Sequence, residues 1–437
     1  MSDVKTIRVA LAGCGTVGGG VAEIVINRGD ALAARTGLRF EVVKALVSDA
    51  SKKRDVPFDS SLFTDDPNEL AAADVDMVVE VMGGTDTARD VVLAALSRGV
   101  PVVTANKALL AHHGAEIYET ARNGNTCIAF EASCAGGLPI IGALLRGLLA
   151  NRNTTIMGIF NSTCNYILTQ MLSGGASYEA ALRSAQESGY AEADPTLDVG
   201  GGDTAHKLTI LASLAFGLNL DADQIPIEGI DGIELVDLQI AEDLGFMCKM
   251  LGIGRCSEVA FDPLVSLRVH PTLLPYEHEL AFMDGTSGAV LVMGDVVGKT
   301  FYSGAGAGSL PTASAVVADM VEVASGAAKQ TFDQVQIHND RTPEAAYFDA
   351  GQCEYAFYIR VSIDQAGCSA QDIINKIMAV ETNWQHLEEA EEYLSVIGIT
   401  GGMSEGEFLK QLDVIQSALS LKELPTFIRM LPRESDS

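Results

Sequence analysis

The sequence predicts an α/β protein with a doubly wound parallel sheet at its amino terminus, then an α+β domain and a small carboxyl-terminal α+β domain. Three observations predict this fold class. Strand-like runs alternate with helix-like segments over residues 1–130, and a glycine-rich turn joins the first strand to the first helix. The chain has 437 residues, enough for two or three domains of about 150 residues.

Composition and charge exclude several classes of partner. The protein is 48% hydrophobic and 20% charged, which is typical of an ordered globular chain. A formal net charge of −29 disfavours nucleic acids and anionic membranes, which attract clustered Lys and Arg. The apolar runs are shorter than the roughly 18 residues of a membrane span, and the amino terminus lacks a secretory-signal pattern. We therefore expect a cytoplasmic protein with no nucleic-acid or membrane partner.

The cysteines form no recognisable metal or disulfide pattern. Eight are present, and no two are spaced as C-x-x-C. In a reducing compartment such residues are usually small buried hydrophobes. We predict neither a zinc site nor a disulfide framework.

The first strand is predicted at residues 7–12, a β-branched run that ends at Gly13. Gly13 permits a tight turn, Gly15 lets the backbone approach a pyrophosphate, and Gly18 lets helix and strand pack closely. The helix N-terminus then offers free N–H groups to phosphate. In the context of strand, turn and helix, these glycines predict a Rossmann-type NAD(P)-binding domain, although a purely structural turn is the alternative.

The choice between NAD and NADP depends on the end of the second strand. That strand is predicted at residues 40–47 and is followed by Ser48 and Asp49, then by the basic residues 52–54. A carboxylate there favours the ribose 2′-hydroxyl of NAD, whereas basic side chains favour the 2′-phosphate of NADP. Both cofactors therefore remain open.

The rest of the first domain and the second domain follow in order. Strands are predicted at residues 77–82 and 100–104, with a helix beginning near residue 105. From about residue 130 the pattern changes to glycine-rich turns, a strand at residues 157–160 and helices near 178–188 and 203–215. A second glycine turn, residues 304–308, leads into a helix at 312–324 that we expect to return to the first domain.

The third domain should follow a linker near residues 339–350. Its predicted elements are strands at 355–363, 393–400 and 425–430 and helices at 370–380 and 406–419. This order suggests a βαββαβ unit with one poorly marked strand. We expect an NAD(P)-binding domain at 1–130 with 306–340 packing back on it, a catalytic and dimerisation domain at 131–305, and the small domain at 350–437.

Two lysines are candidates for carbonyl chemistry. Lys107 follows the predicted fourth strand, at the edge where open α/β sheets bind ligands. Lys207 lies four residues after Asp203, so one helix face carries both side chains and the carboxylate can orient the ammonium. Reduction of an aldehyde needs such a proton donor near the developing alkoxide. A surface lysine and a surface ion pair are the alternatives.

An acidic segment precedes this helix. Glu192, Asp194 and Asp198 could hold the ammonium of an amino-acid substrate. A turn or helix-capping role for Asp194 is an equally good reading. His206 points to a different helix face from Lys207, and we interpret it as a packing or hydrogen-bonding residue.

Eight ordered motifs carry a family resemblance. Over residues 5–325 the chain resembles homoserine dehydrogenases in motif order and spacing. The motifs lie at residues 13–18, 79–84, 104–107, 130–133, 136–139, 189–198, 205–207 and 306–308.

The resemblance implies reduction of L-aspartate 4-semialdehyde to L-homoserine with NADPH or NADH. It makes Lys207 the proton donor, supported by Asp203, Lys107 a second lysine beside nicotinamide and substrate, and Glu192 a ligand of the substrate amine. A structural monovalent cation, Na⁺, would be bound by oxygen atoms of Glu131, Cys134, Gly136 and Leu138. The remaining cofactor contacts would come from Gly13, Gly15, Thr16, Val17, Gly18, Gly306 and Gly308. A homodimer or homotetramer is expected, built through the sheet of the second domain.

The chain departs from the family pattern at three places. Ser48 stands where NADP-preferring members often have Arg, and Cys164 stands where Thr is usual. The third domain resembles an ACT domain, a module that commonly gives threonine feedback in this family. Its usual Asp-Lys-Pro-Gly turn is here Asp-Gln-Ala-Gly at residues 364–367, so threonine as an effector is a hypothesis.

Two alternative functions remain: another enzyme, and a binding protein of a different class. A phosphorylating semialdehyde dehydrogenase would attack the aldehyde with a cysteine such as Cys164 or Cys134, but neither has an obvious His nearby in sequence. A nucleotide- and amino-acid-binding regulator could keep the folds without turnover. The presence of both Lys107 and Lys207 disfavours the regulator.

Overall fold

The first sheet forms the amino-terminal part of the molecule. The computed structural model describes residues 4–257, 263–335, 342–380 and 383–433. The strands of this sheet are β1 (Lys5–Ala12), β2 (Leu38–Leu46), β3 (Phe63–Thr64), β4 (Met77–Glu80), β5 (Val102–Thr104) and β6 (Ile128–Ala129).

All neighbouring strands of this sheet are parallel, in the order β3-β2-β1-β4-β5-β6. Val9 to Ala12 are at most 1% exposed, as expected where helices cover both faces of a parallel sheet. The predicted doubly wound fold is therefore confirmed. β3 and β6 were not predicted, because two residues are too few to form a recognisable pattern.

Helices cover both faces of this sheet. They are α1 (Thr16–Asn27), α2 (Gly29–Thr36), α3 (Pro67–Ala71), α4 (Asp86–Ser97) and α5 (Lys107–Asn123). The later helix Ser309–Ser325 packs against α1, where Ser309 Oγ donates to the Thr16 carbonyl at 2.6 Å. A side chain at Gly20 would meet Ser309 Oγ at 2.8 Å, so the two helices require glycine there.

The second sheet is larger and mostly antiparallel. Its first strands are β7 (Asn153–Ile159), β8 (Phe246–Cys256), β9 (Leu264–Pro275), β10 (Ser287–Gly294) and β11 (Gly298–Ala305). Successive residues point to opposite faces: Ile156 enters the main core, whereas Met157 enters a separate cluster with Leu280 on the other face. Helix Gly202–Phe216 packs on β7 and β8.

Eleven α-helices follow the first sheet in the described part of the chain. They are α6 (Ile140–Gly142), α7 (Ser162–Gly174), α8 (Tyr178–Glu187), α9 (Thr196–Val199), α10 (Gly202–Phe216), α11 (Leu235–Asp243), α12 (Ser309–Ser325), α13 (Ala327–Gln334), α14 (Ile363–Ala366), α15 (Ala370–Met378) and α16 (Glu405–Leu419). Among the residues with described structure, no helix is long and apolar enough to span a membrane.

The carboxyl-terminal unit has the expected element order. Its strands are β13 (Glu354–Ser362), β14 (Trp384–Ala390), β15 (Ser395–Thr400), β16 (Met403–Ser404) and β17 (Thr426–Met430), with β12 (Ala346–Tyr347) before them. With α15 and α16 the main elements run βαββαβ. The unmarked strand is β14, in which every residue is at least partly exposed.

The sheet of this unit does not stand alone. Strand β17 pairs in parallel with β9, Arg429 opposite Thr272, so both units share one sheet in the order β11-β10-β7-β8-β9-β17-β13-β15-β14. Pairing satisfies backbone groups at the edges of both β9 and β17. Of the predicted linker, residues 339–341 lie outside the described part, and Pro343 accepts a hydrogen bond from Asn219 N.

A buried ion network reinforces this junction. The Glu405 carboxylate pairs with Arg268 at 2.5 Å and with Arg429 at 2.7 Å, and Arg429 also reaches Glu228 at 2.7 Å. The side chains of Glu405 and both arginines are 5–7% exposed. Because an isolated buried charge is costly, each member depends on the others.

Candidate active site

The glycine turn after β1 has the geometry that dinucleotide binding requires. Gly13 has φ +105°, and a Cβ atom on Gly18 would lie 1.9 Å from the Gly13 carbonyl oxygen. Only glycine fits at either position. By contrast, no atom lies within 4 Å of a Cβ placed on Gly15, so this backbone faces open space.

The N-terminus of α1 opens into a cleft. Thr16 and Val17 begin this helix, whose N-cap residue is Gly15 and provides no side-chain acceptor. The first N–H groups of the helix are therefore available to an anion. The cleft has a volume of about 460 Å³ and is lined by Gly15, Thr16, Asp55 and Ser309 among others.

The polar residues after β2 are arranged around the loop itself. Asp49 accepts hydrogen bonds from the backbone and hydroxyl of Ser51. Arg54 donates to the carbonyls of Asp49 and Lys52 and lies over the ring of Phe63. Lys52 is exposed. This arrangement does not select between the two cofactors.

The second glycine turn closes on the loop that follows β6. A Cβ on Gly306 would lie 2.6 Å from Ser162 Oγ, and one on Gly136 would lie 2.5 Å from the Gly306 carbonyl oxygen. Gly308, with φ +124°, is the N-cap of α12. These contacts bring the turn beside the start of α7.

The central feature of the site is a carboxylate between two ammonium groups. Asp203 Oδ2 lies 2.7 Å from Lys207 Nζ, and Asp203 Oδ1 lies 2.9 Å from Lys107 Nζ. The carboxylate is 4% exposed, whereas Lys207 and Lys107 are 14% and 34% exposed. The structure thus joins the two lysines that the sequence predicted separately.

Three elements position these groups. Lys107 is the first residue of α5, after β5, and Asn106 caps this helix by accepting from Leu109 N. Lys207 and Asp203 are one turn apart on α10, as their spacing predicted. Lys207 Nζ also donates to the Phe160 carbonyl at the end of β7, at 2.7 Å.

The electrostatics of the cluster favour charged forms. Burial by itself would raise the pKa of Asp203, but Lys207 and Lys107 hold the pKa of that carboxyl well below its usual value. Burial likewise opposes the charge on Lys107, yet Asp203 raises the pKa of this ammonium above its usual value. Asp203 is therefore a carboxylate beside at least one persistent ammonium.

Glu80 is a buried carboxyl group near the cluster that sequence reasoning did not single out. It is fully buried at the end of β4 and accepts from Thr104 Oγ1 at 2.6 Å and from Met82 N at 2.9 Å. Asn106, next to Lys107, donates to Gly84 O at 2.7 Å. Burial raises the pKa of Glu80. This buried carboxyl group thus braces the loop from which Lys107 projects. The sequence signals were its place at the end of a strand and within the motif at residues 79–84.

Asn161 is the second residue that sequence reasoning missed. Its amide nitrogen donates to Asp198 Oδ1 at 2.7 Å and to Asp203 Oδ2 at 2.8 Å. Burial and the charge of Asp203 raise the pKa of Asp198. The chain positions of Asn161 and Asp203 differ by 42, so no local pattern could connect them.

The other two acidic candidates are peripheral. Glu192 and Asp194 are exposed, unlike Asp198. Asp194 accepts from the backbone and hydroxyl of Thr196, which matches the turn role considered as an alternative. The structure therefore brings only Asp198 of the three into the lysine cluster.

The oxygen atoms considered for a cation lie in a buried loop. Glu131 is 8% exposed, and its carboxylate accepts from Ile141 N and Gly142 N, both at 2.7 Å. Burial raises the pKa of Glu131. The loop turns through Ala135 and Gly136, at φ +54° and +58°. Within the described ranges, no group of three or more His, Cys, Asp or Glu side chains forms a metal site.

The cysteine alternative is not supported. Burial raises the pKa of Cys134 to about 12 and that of Cys164 well above its usual value. Cys164 Sγ donates to the Asp198 carbonyl at 3.2 Å. A nucleophile needs a thiolate, which this environment disfavours. His206 contacts His112 edge to face, at 5.0 Å between ring centroids, as a packing residue would.

Comparisons with known proteins agree with this geometry. A model of the family described as homoserine dehydrogenase matches residues 139–321, and one described as its NAD-binding domain matches residues 13–131. Homoserine dehydrogenase of Neisseria gonorrhoeae is 45% identical over 74% of this chain and 73% of its own length. That of Helicobacter pylori is 38% identical over 98% and 99%. A crystal structure of a homoserine dehydrogenase from Thiobacillus denitrificans superposes with a TM-score of 0.86 at 36% identity, covering 98% of both chains.

Proposed function

The chain belongs to the homoserine dehydrogenase family, and we propose that it reduces L-aspartate 4-semialdehyde to L-homoserine at the cluster of Lys207, Asp203 and Lys107. It is an NAD(P)-dependent oxidoreductase acting on the CH–OH group. One observation carries the assignment of the site: a buried carboxylate bridges two lysine ammonium groups, at 2.7 and 2.9 Å. The lysine that begins α5 lies at the strand-end edge where α/β folds bind ligands.

The dinucleotide would bind across the glycine turn of Gly13, Gly15 and Gly18. Open space at Gly15 and the N-terminus of α1 at Thr16 and Val17 fit a pyrophosphate. Gly306 and Gly308 would contact the dinucleotide from the opposite side, together with Lys107. When bound in its reduced form, the nicotinamide supplies the hydride.

The residues of this chain supply the proton and the charge. Lys207 would donate a proton to the carbonyl oxygen as the carbon receives the hydride, which gives the alcohol. Asp203 orients the Lys207 ammonium, and the Phe160 carbonyl fixes a second of its hydrogen bonds. Lys107 would stabilise the negative charge that develops on the same oxygen.

The substrate ammonium would meet the acidic side of the site. Asp198 is held by Asn161 beside the lysine cluster and supports this role most directly. Glu192 would contact the ammonium from the exposed segment above, and Asp194 would shape the turn between them. Opposite ends of the substrate thus face opposite charges.

The test is oxidation of homoserine with NAD and NADP assayed in parallel, in the presence and absence of phosphate. We expect phosphate-independent turnover that forms reduced nicotinamide. The ratio of the two rates shows whether the enzyme prefers NAD or NADP. Asp49 and residues 52–54 are compatible with either cofactor. Absence of turnover with both cofactors would reject the proposed function.

A structural monovalent cation would be held by Glu131 and the backbone carbonyls of Cys134, Gly136 and Leu138. The oxygen donor set suits a hard cation such as Na⁺, and the carboxyl is buried without an ion pair among the described residues. The test is the thermal unfolding midpoint in sodium against a bulky organic cation at equal ionic strength. An unfolding midpoint that is the same in both solutions would reject the proposed cation site.

The organisation of the molecule extends this proposal. We assign cofactor binding to residues 1–130 with 306–340, catalysis and dimerisation to 131–305, and ACT-like regulation to 350–437, in a cytoplasmic homodimer or homotetramer. Eight unpaired cysteines fit a reducing compartment. Sedimentation tests the assembly, and activity titrated with threonine tests whether that amino acid is an effector.

A further inference from the structure

Asn161 occupies the point where the two carboxylates of the site meet. It lies two residues after the end of β7 and is the N-cap residue of α7, where its Oδ1 accepts from Cys164 N at 2.8 Å. The side chain is 3% exposed. Its amide nitrogen has two hydrogens, and one is donated to Asp198 and the other to Asp203. The side chain thus uses its oxygen to cap a helix and its two amide hydrogens to bind two acids.

The helix cap does not explain why this residue is asparagine. Ser, Thr and Asp cap helices as well as Asn does, because a cap needs only an acceptor. None of these alternatives can donate two hydrogen bonds at once. The amide group therefore serves a second requirement, and the donated bonds point to the acids.

Two carboxylates this close to one atom repel each other. Asp198 Oδ1 and Asp203 Oδ2 both lie within 2.8 Å of the Asn161 amide nitrogen. Asp203 is neutralised by Lys207 and Lys107, but the carboxyl of Asp198 makes no ion pair among the described side chains. A neutral double donor separates the acids without adding a cation that would compete for Asp203.

We propose that Asn161 is a positioning residue of the reaction, whose amide holds Asp198 toward the substrate ammonium while Asp203 stays with the two lysines. This role rests on the proposed function, because it assigns the substrate ammonium to Asp198. Asn161 itself touches neither substrate nor cofactor. Its loss should therefore weaken substrate binding more than cofactor binding.

The test compares two variants that keep the helix cap. Asn161→Ser and Asn161→Thr both retain an acceptor for Cys164 N and add no charge, but neither can bridge the two acids. We expect KM for homoserine to rise about tenfold to a hundredfold, the usual effect of losing a hydrogen bond to a charged group. The fall in kcat should be smaller, and the Kd for the reduced dinucleotide should change less than about twofold.

The matched control is Ser177→Ala. Ser177 caps α8, which packs against α7, by accepting from Ala180 N, so this variant removes a cap without touching the acids. Its KM for homoserine should equal that of the wild type. If Asn161→Ser fails to fold, Asn161→Thr gives the same comparison, because Thr is also a good cap and adds no charge beside the two acids.

Two outcomes would overturn the proposal. If the Asn161 variants fold and keep the wild-type KM and kcat, Asn161 is only a helix cap. If KM for homoserine and Kd for the dinucleotide rise together, Asn161 maintains the fold and does not specifically position Asp198 and Asp203. Failure of the proposed function would look different, since the wild-type protein itself would not oxidise homoserine.

Discussion

Replacement of Lys207 by methionine tests the chemistry of the site most directly. The substitution keeps the length and apolar stem of the side chain and removes only the ammonium. Lys207 loses its hydrogen bonds to Asp203 and to the Phe160 carbonyl, both 2.7 Å long. The Asp203 carboxylate still has two partners in the variant, because Lys107 remains at 2.9 Å and Asn161 at 2.8 Å.

The magnitudes follow from these contacts. A general acid typically contributes about 10²- to 10⁴-fold, so kcat should fall by this factor, or about 3–5 kcal/mol in the barrier. Removing one partner of a buried pair usually costs about 3–5 kcal/mol in stability. Since two donors to Asp203 remain, we expect a smaller loss of about 1–3 kcal/mol.

The assay measures kcat from the absorbance of reduced nicotinamide, together with cofactor Kd and urea unfolding. Lys329→Met is the matched control, because Lys329 and Asp333 form another lysine–aspartate pair four residues apart, at 2.6 Å. The control should keep wild-type kcat. A folded Lys207→Met enzyme with kcat within tenfold of the wild type would refute the role of Lys207 as proton donor.

Three further predictions concern the junction, the cofactor cleft and the cysteines. Glu405→Gln should lower the free energy of unfolding by about 3–5 kcal/mol at neutral pH by stranding Arg268, whose ion pair among the described residues is with Glu405, whereas Arg429 keeps Glu228; kcat should stay unchanged. Burial opposes the charge on Glu405, but Arg429 and Arg268 hold its folded pKa below the unfolded value of about 4.3. This stabilisation is complete above the unfolded pKa and is lost as pH falls through the folded pKa, so urea unfolding at two pH values should show the variant less sensitive to acid; an equal sensitivity would contradict this. Gly15→Val should fold, because space is open there, but it should raise the dinucleotide Kd measured by fluorescence titration. Wild-type affinity would show that the pyrophosphate does not bind at Gly15. Iodoacetamide should leave homoserine oxidation intact at neutral pH, since burial raises the pKa of the Cys164 thiol; rapid inactivation with labelling of that residue would restore a cysteine mechanism.

The sequence by itself determined the parts that depend on neighbouring residues. The glycine turn at residues 13–18 was readable because each glycine has a local steric cause, such as the positive φ of Gly13. The pairing of Asp203 with Lys207 was readable because a spacing of four is one helical turn. The parallel sheet followed from short buried strands alternating with helices.

Only the tertiary structure decided which distant residues meet. Lys107, which follows a strand of the first sheet, forms an ion pair with Asp203. Asn161 donates hydrogen bonds to both Asp198 and Asp203, although no periodicity in the sequence links these positions. Strand β14 escaped prediction because its exposed residues form no alternating pattern. The continuation of the second sheet into the carboxyl-terminal unit through β9 and β17 was equally invisible, because strand pairing is made by backbone atoms that every residue shares.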